Sequence, residues 1–177
     1  QDTLDAVSMP QWKSMLYALA FMHTIVQERR KFGPLGFNIP YEFNQSDLSA
    51  CAQFLQKHVM EMDAKKLPQP NWATIRYMVS DIQYGGRITD DFDQLLMFTY
   101  TEKYFHQGCL ATGYELFPGY KVPDNAEVQV FRDEIEKLPG QDSPELFGLH
   151  PNADLTFRTL QVHEAIATII DTMPKSG

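Results

Sequence analysis

The sequence is poor in cysteine and has no long hydrophobic run. Its 177 residues include 2 cysteines, Cys51 and Cys109, which are too few for a disulfide framework and do not form a Cys-x-x-Cys pair. No apolar stretch approaches the roughly 18–20 residues that cross a bilayer, and the N-terminus lacks the layout of a signal peptide. These features favour a reducing compartment, the cytoplasm, and predict no contact with a membrane.

Positive charge is scarce as well. The chain has 15 Lys and Arg against 23 Asp and Glu, a net charge of −8, whereas nucleic-acid-binding surfaces are usually basic. We therefore expect no nucleic-acid partner. The hydrophobic fraction of 44% and the charged fraction of 21% are ordinary for a folded globular chain, and they exclude a collagen-like or wholly disordered one.

The catalytic and cofactor-binding motifs are incomplete. Gly108 and Gly113 have the separation of a phosphate-binding loop, but Tyr114 stands where that loop needs a lysine to reach the phosphates. His163 is followed by a glutamate, as in zinc proteases, but Ala167 takes the place of the second histidine ligand. The sequence therefore predicts no catalytic residue, no cofactor-binding residue and no metal ligand.

Other residues that could carry chemistry have simpler interpretations. His23, His58 and Cys51 lie on apolar helix stripes and are predicted to be core or boundary residues. Three acids cluster in Asp90–Asp93, where a helix should begin. Because acids favour the positive end of the helix dipole, we expect this cluster to be a solvated face rather than a catalytic pair.

Apolar residues recur at helical spacing in six stretches, and no run alternates convincingly as a strand. The predicted fold is all-α, a compact bundle of about six helices with long ordered loops, forming a single domain over residues 1–177 with flexible ends at 1–9 and 174–177. A short β-hairpin is expected around Tyr114–Val122, where glycine and proline are frequent. The predicted core helices span residues 10–32, 46–66, 71–84, 89–106, 125–138 and 152–173.

The same pattern predicts where helices begin and which faces they bury. The predicted N-caps are Ser46, Asn71, Thr89, Asp124 and Asn152. On the third helix the inward face is Trp72, Ile75, Val79 and Ile82. On the fourth helix it is Phe92, Leu95, Leu96 and Thr99, widened by Phe98, Tyr104 and Phe105. On the last helix it is Val162, Ile166, Ile169, Ile170 and Met173.

Three linking segments contain more shape-determining residues than ordinary loops do. Residues 32–43 hold four aromatics and two prolines, residues 84–88 place Arg87 just before a helix start, and residues 146–154 form a third compact corner. A free loop would not keep so much apolar surface exposed. We therefore expect these segments to fold onto the domain or onto a partner.

Several of these runs, in the same order, resemble the C-terminal motor region of dynein heavy chains. The matching runs are Leu16–His23, Val26–Gly36, Pro40–Phe43, Tyr84–Arg87, Thr89–Asp93 and Phe147–Asp154. The chain looks like the small helical lid subdomain of the sixth AAA+ module, and its Arg29–Gly36 run is closer to axonemal than to cytoplasmic dyneins. It departs from the family at Phe37, where tryptophan is common, at Gln94-Leu95, where a basic pair is common, and in the unfamiliar stretch 101–118.

This resemblance implies part of an ATP-driven motor that walks toward microtubule minus ends. In such motors six AAA+ modules form a ring, the lid of one module packs on the next, and the sixth module is not a working ATP site. The implied role is non-catalytic: transmission of conformational change between neighbouring AAA+ modules of the same heavy chain. No cofactor is implied for the fragment, whereas the parent would use ATP and Mg²⁺ and bind microtubules and intermediate and light chains. The implied location is the cytoskeleton of the cilium or flagellum axoneme.

A motor lid also needs surfaces that dock onto its neighbours. The candidate docking residues are Arg29, Arg30, Lys31, Phe37, Tyr41, Phe43 and Arg87. For Arg87, a structural salt bridge or a carbonyl cap is favoured over a phosphate contact. The main alternative is a free-standing helical protein-interaction module without a motor role, and an enzyme with a small-molecule pocket between helices is a third.

Overall fold

The computed structural model describes the backbone of residues 10–123, 127–140 and 143–172, and the side chains of these residues apart from 10, 154–158 and 169–172. The predicted flexible ends, the predicted cap Asp124 and Met173 lie outside the described residues. Six α-helices are present in this described part of the chain: α1 Pro10–Glu28, α2 Gln45–Ala64, α3 Trp72–Tyr77, α4 Asp91–Tyr104, α5 Val128–Glu136 and α6 Ala153–Thr172. The described part of the chain is therefore all-α apart from one short hairpin, which confirms the predicted fold class.

Shorter helical segments join these helices. Turns of 3₁₀ helix span Arg29–Leu35, Gly85–Arg87, Gln107–Leu110 and Pro144–Phe147, and a π-helical segment, Met78–Gln83, continues α3. The hairpin pairs β1, Glu115–Phe117, with β2, Tyr120–Lys121, in antiparallel register. Pro118 and Gly119 occupy the centre of its turn, and the positive φ of 89° at Gly119 is the conformation that a type II turn requires there.

The core is built around α1. Trp12, Met15, Leu19 and Met22 on this helix are fully buried, and Leu55 on α2 is buried with them in one cluster. Each side chain of this size stabilises the fold by about 1.5–3 kcal/mol when it leaves water. Helix α1 packs against both α2 and α4, so the residues that follow it in sequence are held against a rigid support.

Two predicted N-caps are wrong by one or two residues. Asn44, not Ser46, caps α2: its side-chain oxygen accepts from the backbone N–H of Ser46 at 2.9 Å, and Asp47 reciprocates by accepting from the N–H of Asn44. Asp90, not Thr89, caps α4 by accepting from the N–H of Asp93. In both cases the side chain one step before the helix reaches the unpaired amides better than the predicted residue does.

The π-helical segment explains a wrong prediction on the third helix. The N–H of Tyr84 bonds to the carbonyl of Val79, five residues back, so each turn there holds an extra residue. This rotates Ile82 outward, where 46% of its surface is exposed, and Tyr84 inward, where it is fully buried. The cap Asn71 is present as predicted, and Trp72, Ile75 and Val79 are buried as predicted.

The predicted inward face of α4 is wrong in part: Tyr104 and Phe105 are buried and Leu96 packs against the core, as predicted, but the rest of the face is not. Phe92, Leu95 and Thr99 are exposed, and the buried residues of this helix are Asp93, Met97, Tyr100, Thr101 and Tyr104. Both sides of the helix carry large apolar residues, so periodicity alone did not separate them. The polar groups of Asp93 and Tyr100 decide the orientation because they bind segments far away in sequence.

The apolar stripe predicted for α6 is exposed where it is described. Val162 and Ile166 are 56% and 48% exposed, and every side chain from 159 to 168 is exposed. In the described residues, α6 packs chiefly on the Arg29–Leu35 turn. Its apolar stripe therefore does not mark a face that is buried in the core of this chain. The side chains of Ile169 and Ile170 lie outside the described set.

Candidate functional site

The most unusual feature of the fold is a buried arginine. Arg29 begins the 3₁₀ turn after α1 and is only 5% exposed. Its Nε donates to the carbonyl of Gly36 at 2.8 Å, and its Nη1 donates to the Tyr100 hydroxyl at 2.7 Å and to the carbonyl of Phe147. Among the described residues, no carboxylate pairs with Arg29. Neutral oxygens from three separate segments therefore hold this cation in place.

Aromatic rings complete the surroundings of Arg29. The guanidinium carbon lies 5.5 Å from the centre of the Phe37 ring and 5.7 Å from that of Tyr100. The Tyr100 hydroxyl in turn donates to the carbonyl of Phe147, so that one carbonyl receives both donors. Burial raises the pKa of Tyr100, and the nearby charge of Arg29 opposes that rise. The hydroxyl therefore stays protonated and able to donate.

Glycine is required where the chain passes closest to Arg29. A Cβ at Gly36 would lie 1.9 Å from the backbone oxygen of Arg29, far inside van der Waals contact. Gly148, just after the Pro144–Phe147 turn, has a φ of 72°, which side chains rarely adopt. The two glycines let the backbone approach the arginine from two sides.

A second buried charge holds residues 36–43, which we call the aromatic loop. The carboxylate of Asp93 accepts from the backbone N–H of Asn38 at 2.9 Å and of Ile39 at 3.2 Å, and from the Tyr41 hydroxyl at 2.9 Å. Tyr41 also accepts from the N–H groups at the start of α4. The side chain of Asn38 donates to Asp90, and this hydrogen bond lowers the pKa of Asp90. The aromatic loop is thus fixed to the N-terminus of α4.

The rings of the aromatic loop pack in a chain inside the domain. Phe37 and Tyr41 meet edge to face at 5.7 Å, Tyr41 contacts Phe43 at 5.9 Å, and Phe43 contacts Tyr84 at 5.5 Å. Such pairs add about 0.5–1.5 kcal/mol each beyond the area that they bury. The prediction that this segment folds onto the domain is confirmed.

A polar cluster lies between α1, α2 and the π-helical segment. His23 Nδ1 is 2.6 Å from the Tyr84 hydroxyl, and burial lowers the pKa of His23 and raises that of Tyr84. Arg87 donates to Asp47 at 2.8 Å, which is the salt bridge expected for it. Cys51 is buried and free, and burial raises its pKa to about 12. The thiol is therefore protonated and unreactive near neutral pH.

The structure separates the seven candidate docking residues into two groups. Four are buried inside the chain: Arg29, Phe37, Tyr41 and Phe43. Three are exposed: Arg30, which pairs with Glu42 at 3.5 Å, Lys31, which pairs with Glu28, and Arg87, whose side chain is 46% exposed. Only the second group offers surface to a neighbour.

Sequence reasoning missed several residues of this network. Asp93 was expected on a solvated face but is buried, and Gly36, Tyr100 and Phe147 were not singled out for any role. No pattern local to Asp93 identifies it, since its partners Asn38, Ile39 and Tyr41 lie more than 50 residues away. A polar residue inside a buried helix face needs a partner, and here the aromatic loop supplies it.

Two grooves lie on the surface of the described residues, and no metal-binding cluster is found among these residues. A groove of about 700 Å³ lies between the end of α2 and residues 67–74, and an apolar groove of about 340 Å³ lies between α1 and α5. Among the described residues, no group of three or more His, Cys, Asp or Glu side chains is arranged to hold a metal ion. No described helix is both long and apolar enough to cross a membrane.

Comparison with known proteins gives a consistent result. The family model for the dynein heavy chain AAA lid domain matches residues 12–153. The chain is 61% identical over 185 aligned residues to the dynein gamma chain, flagellar outer arm, of Chlamydomonas reinhardtii. It is 49% identical over 177 residues to dynein axonemal heavy chain 5 of Mus musculus and 47% identical over 177 residues to dynein axonemal heavy chain 8 of Homo sapiens. Each alignment covers all of this chain but about 4% of the relative. The chain therefore belongs to the axonemal dynein heavy chain family and forms the AAA lid domain of that family.

Proposed function

We propose that this lid is a non-catalytic wedge that packs between neighbouring AAA+ modules and passes ATP-driven conformational change from one to the next. The observation that supports this role is the network around Arg29 and Asp93. It joins the end of α1, the aromatic loop, the start of α4 and the Pro144–Phe147 turn, which are far apart in sequence. A body tied together in this way moves as a unit and does not absorb the motion of its neighbours.

The wider setting follows from the family. The lid would act in the sixth module of a motor that moves toward microtubule minus ends, with ATP and Mg²⁺ bound elsewhere in the parent chain. Its partners would be the neighbouring AAA+ modules of the same heavy chain and, through the parent, microtubules and intermediate and light chains. The relatives carry flagellar and axonemal names, which assigns the chain to the axoneme of cilia and flagella.

The exposed basic residues form the proposed docking surface. Arg30, Lys31 and Arg87 present their charge to solvent, whereas Arg29, Phe37, Tyr41 and Phe43 act from inside by fixing the segment on which Arg30 and Lys31 sit. Arg30 pairs with Glu42 and Lys31 pairs with Glu28, but exposed ion pairs contribute only about 0–1 kcal/mol. A neighbouring module can therefore replace these partners at little cost in free energy.

The test reverses these charges in the full-length heavy chain. We expect Arg30→Glu with Lys31→Glu to slow microtubule gliding several-fold, while the thermal stability of the 177-residue chain that carries the same changes stays the same. Lys57→Glu with Lys65→Glu on α2 makes an equal charge change elsewhere and should leave gliding unaltered. Equal gliding speeds for both double variants would show that Arg30 and Lys31 do not contact a neighbouring module.

A further inference from the structure

Helix α4 presents a row of large apolar side chains to solvent. Phe92, Leu95 and Phe98, which we call the α4 ridge, are 76%, 62% and 39% exposed. Their spacing of three residues places them along one side of the helix. Single exposed apolar residues are normal, but two phenylalanines and a leucine in a row on one helix mark a contact surface.

Acidic residues frame the α4 ridge. Asp91 and Glu102 are exposed and lie on the same side as Leu95, four residues before it and seven after it, about 16 Å apart along the axis. Asp81, also exposed, is held beside α4 because Gln94 donates to its carboxylate at 3.0 Å. Negative charge therefore stands at both ends and along one edge of the ridge.

The cations near α4 point away from this surface. The ammonium of Lys103 lies over the rings of Tyr104 and Phe117, 5.5 and 5.6 Å from their centres. The guanidinium of Arg76 donates to the carbonyl of Phe105 at the far end of the helix. Arg87, just before α4, donates to Asp47, so among the described residues the charged side chains that frame the α4 ridge without such a partner are the acidic ones.

From the apolar centre and the acidic frame, we propose that the α4 ridge docks a helix whose apolar stripe carries Lys or Arg at both ends. Apolar side chains at i, i+3 and i+4 of such a helix would cover Phe92, Leu95 and Phe98, and its cations would meet Asp91 and Glu102. This inference deepens the proposed function, on which it rests, since it gives the chemistry of one neighbour of the lid. The ridge is distinct from the Arg30–Lys31 corner.

Photo-crosslinking in the full-length heavy chain tests the identity of the occupant. With p-benzoylphenylalanine at position 95, we expect irradiation to link the lid to a helical segment that has Lys or Arg within two turns of the linked residue. The same group at position 60, which is exposed on α2, is the control and should not reach that segment. A link to an acidic segment, a link between two copies of this lid, or no link from position 95 would each overturn the proposal.

A charge reversal tests the acidic frame. Asp91→Lys with Glu102→Lys should lower the cross-linking yield from position 95 by about 2- to 30-fold, as expected for the loss of two exposed ion pairs. The matched variant Glu61→Lys with Asp63→Lys on α2 should leave the yield unchanged. Equal yields in both variants would show that charge does not select the partner.

These outcomes are separate from those of the gliding assay. If cross-linking finds the basic helix but reversal of Arg30 and Lys31 leaves gliding unchanged, the α4 ridge stands as a binding surface and the proposed function fails. If gliding responds but the ridge gives no basic cross-link, the proposed function stands and this inference fails.

Discussion

At the residue scale, Arg29 is held by geometry rather than by an opposite charge. Its fork of N–H donors reaches the Gly36 carbonyl from Nε and the Tyr100 hydroxyl and Phe147 carbonyl from Nη1, while Phe37 and Tyr100 lie beside its plane. A lysine ammonium has no planar face to stack, and its three donors all radiate from one nitrogen instead of from separate Nε and Nη1 atoms. The position therefore needs arginine in particular, not simply a cation.

We expect Arg29→Lys to lower the free energy of unfolding by about 1–3 kcal/mol, because the buried Gly36 carbonyl loses its donor and the Phe147 carbonyl keeps only the Tyr100 hydroxyl. Urea denaturation of the 177-residue chain, followed by circular dichroism, measures this change. The control is Arg30→Lys, at an exposed position, which should alter the free energy by less than about 0.5 kcal/mol. If the two substitutions cost the same, the contacts of Arg29 contribute nothing special.

At the element scale, periodicity predicted that helices exist better than it predicted how they face. The hairpin was predictable because Pro118-Gly119 encodes its own turn, and α2 was predictable because its apolar stripe from Cys51 to Met62 lies opposite a side that is mostly polar, with Met60 exposed there. Helix α4 carries apolar residues on two sides. Its burial was decided by Asp93 and Tyr100, whose partners lie 47 to 71 residues away. No local pattern contains that information.

The start of α2 gives a sharp test of an element boundary. Because the side chain of Asn44 accepts from two backbone amides while Asp47 reciprocates, we expect Asn44→Ala to lower the free energy of unfolding by about 0.5–2 kcal/mol. Ser46 accepts from no unpaired amide, and its hydroxyl only donates to Asn44. Ser46→Ala should therefore cost clearly less when both variants are compared by urea denaturation. The reverse order would mean that the helix begins at Ser46, as the sequence first suggests.

At the scale of the whole molecule, the chain combines a dense interior with unpartnered apolar surface at α4 and α6. The interior contains ionisable groups that are neutral in the fold, among them His23 bonded to Tyr84. Helix α4 packs on α1 through its other face, whereas the described contacts of α6 are chiefly with the Arg29–Leu35 turn. Such a distribution suits a domain whose core is fully packed and whose exposed apolar faces contact neighbouring domains.

Two histidines, the buried His23 and the partly buried His58, make global stability depend on pH. Burial lowers the pKa of His23 and His58, so in mild acid the unfolded chain, with histidine pKa values near 6.5, binds more protons than the folded chain. Stability is therefore greatest above about pH 6.5 and falls as the pH decreases below it. We expect the urea midpoint to decline between about pH 7 and pH 5.5.

The double variant His23→Gln with His58→Gln should flatten that decline, since glutamine can keep a hydrogen bond but cannot gain a proton. His150→Gln, at an exposed position, is the matched control and should leave the slope as it is. A slope that persists in the double variant would assign the pH dependence to other groups.

The neutral surroundings of Arg29 have a further consequence for how this lid responds to dissolved salt. Mobile counter-ions screen the exposed Arg30–Glu42 pair, but they do not enter the pocket where Arg29 contacts carbonyls and rings. If Arg30 and Lys31 dock onto neighbouring modules as proposed, raising the ionic strength should weaken that docking while the fold of the lid stays unchanged. Binding to neighbours would then depend on exposed charges at Arg30 and Lys31, whereas the rigidity of the lid would depend on the buried contacts of the adjacent Arg29.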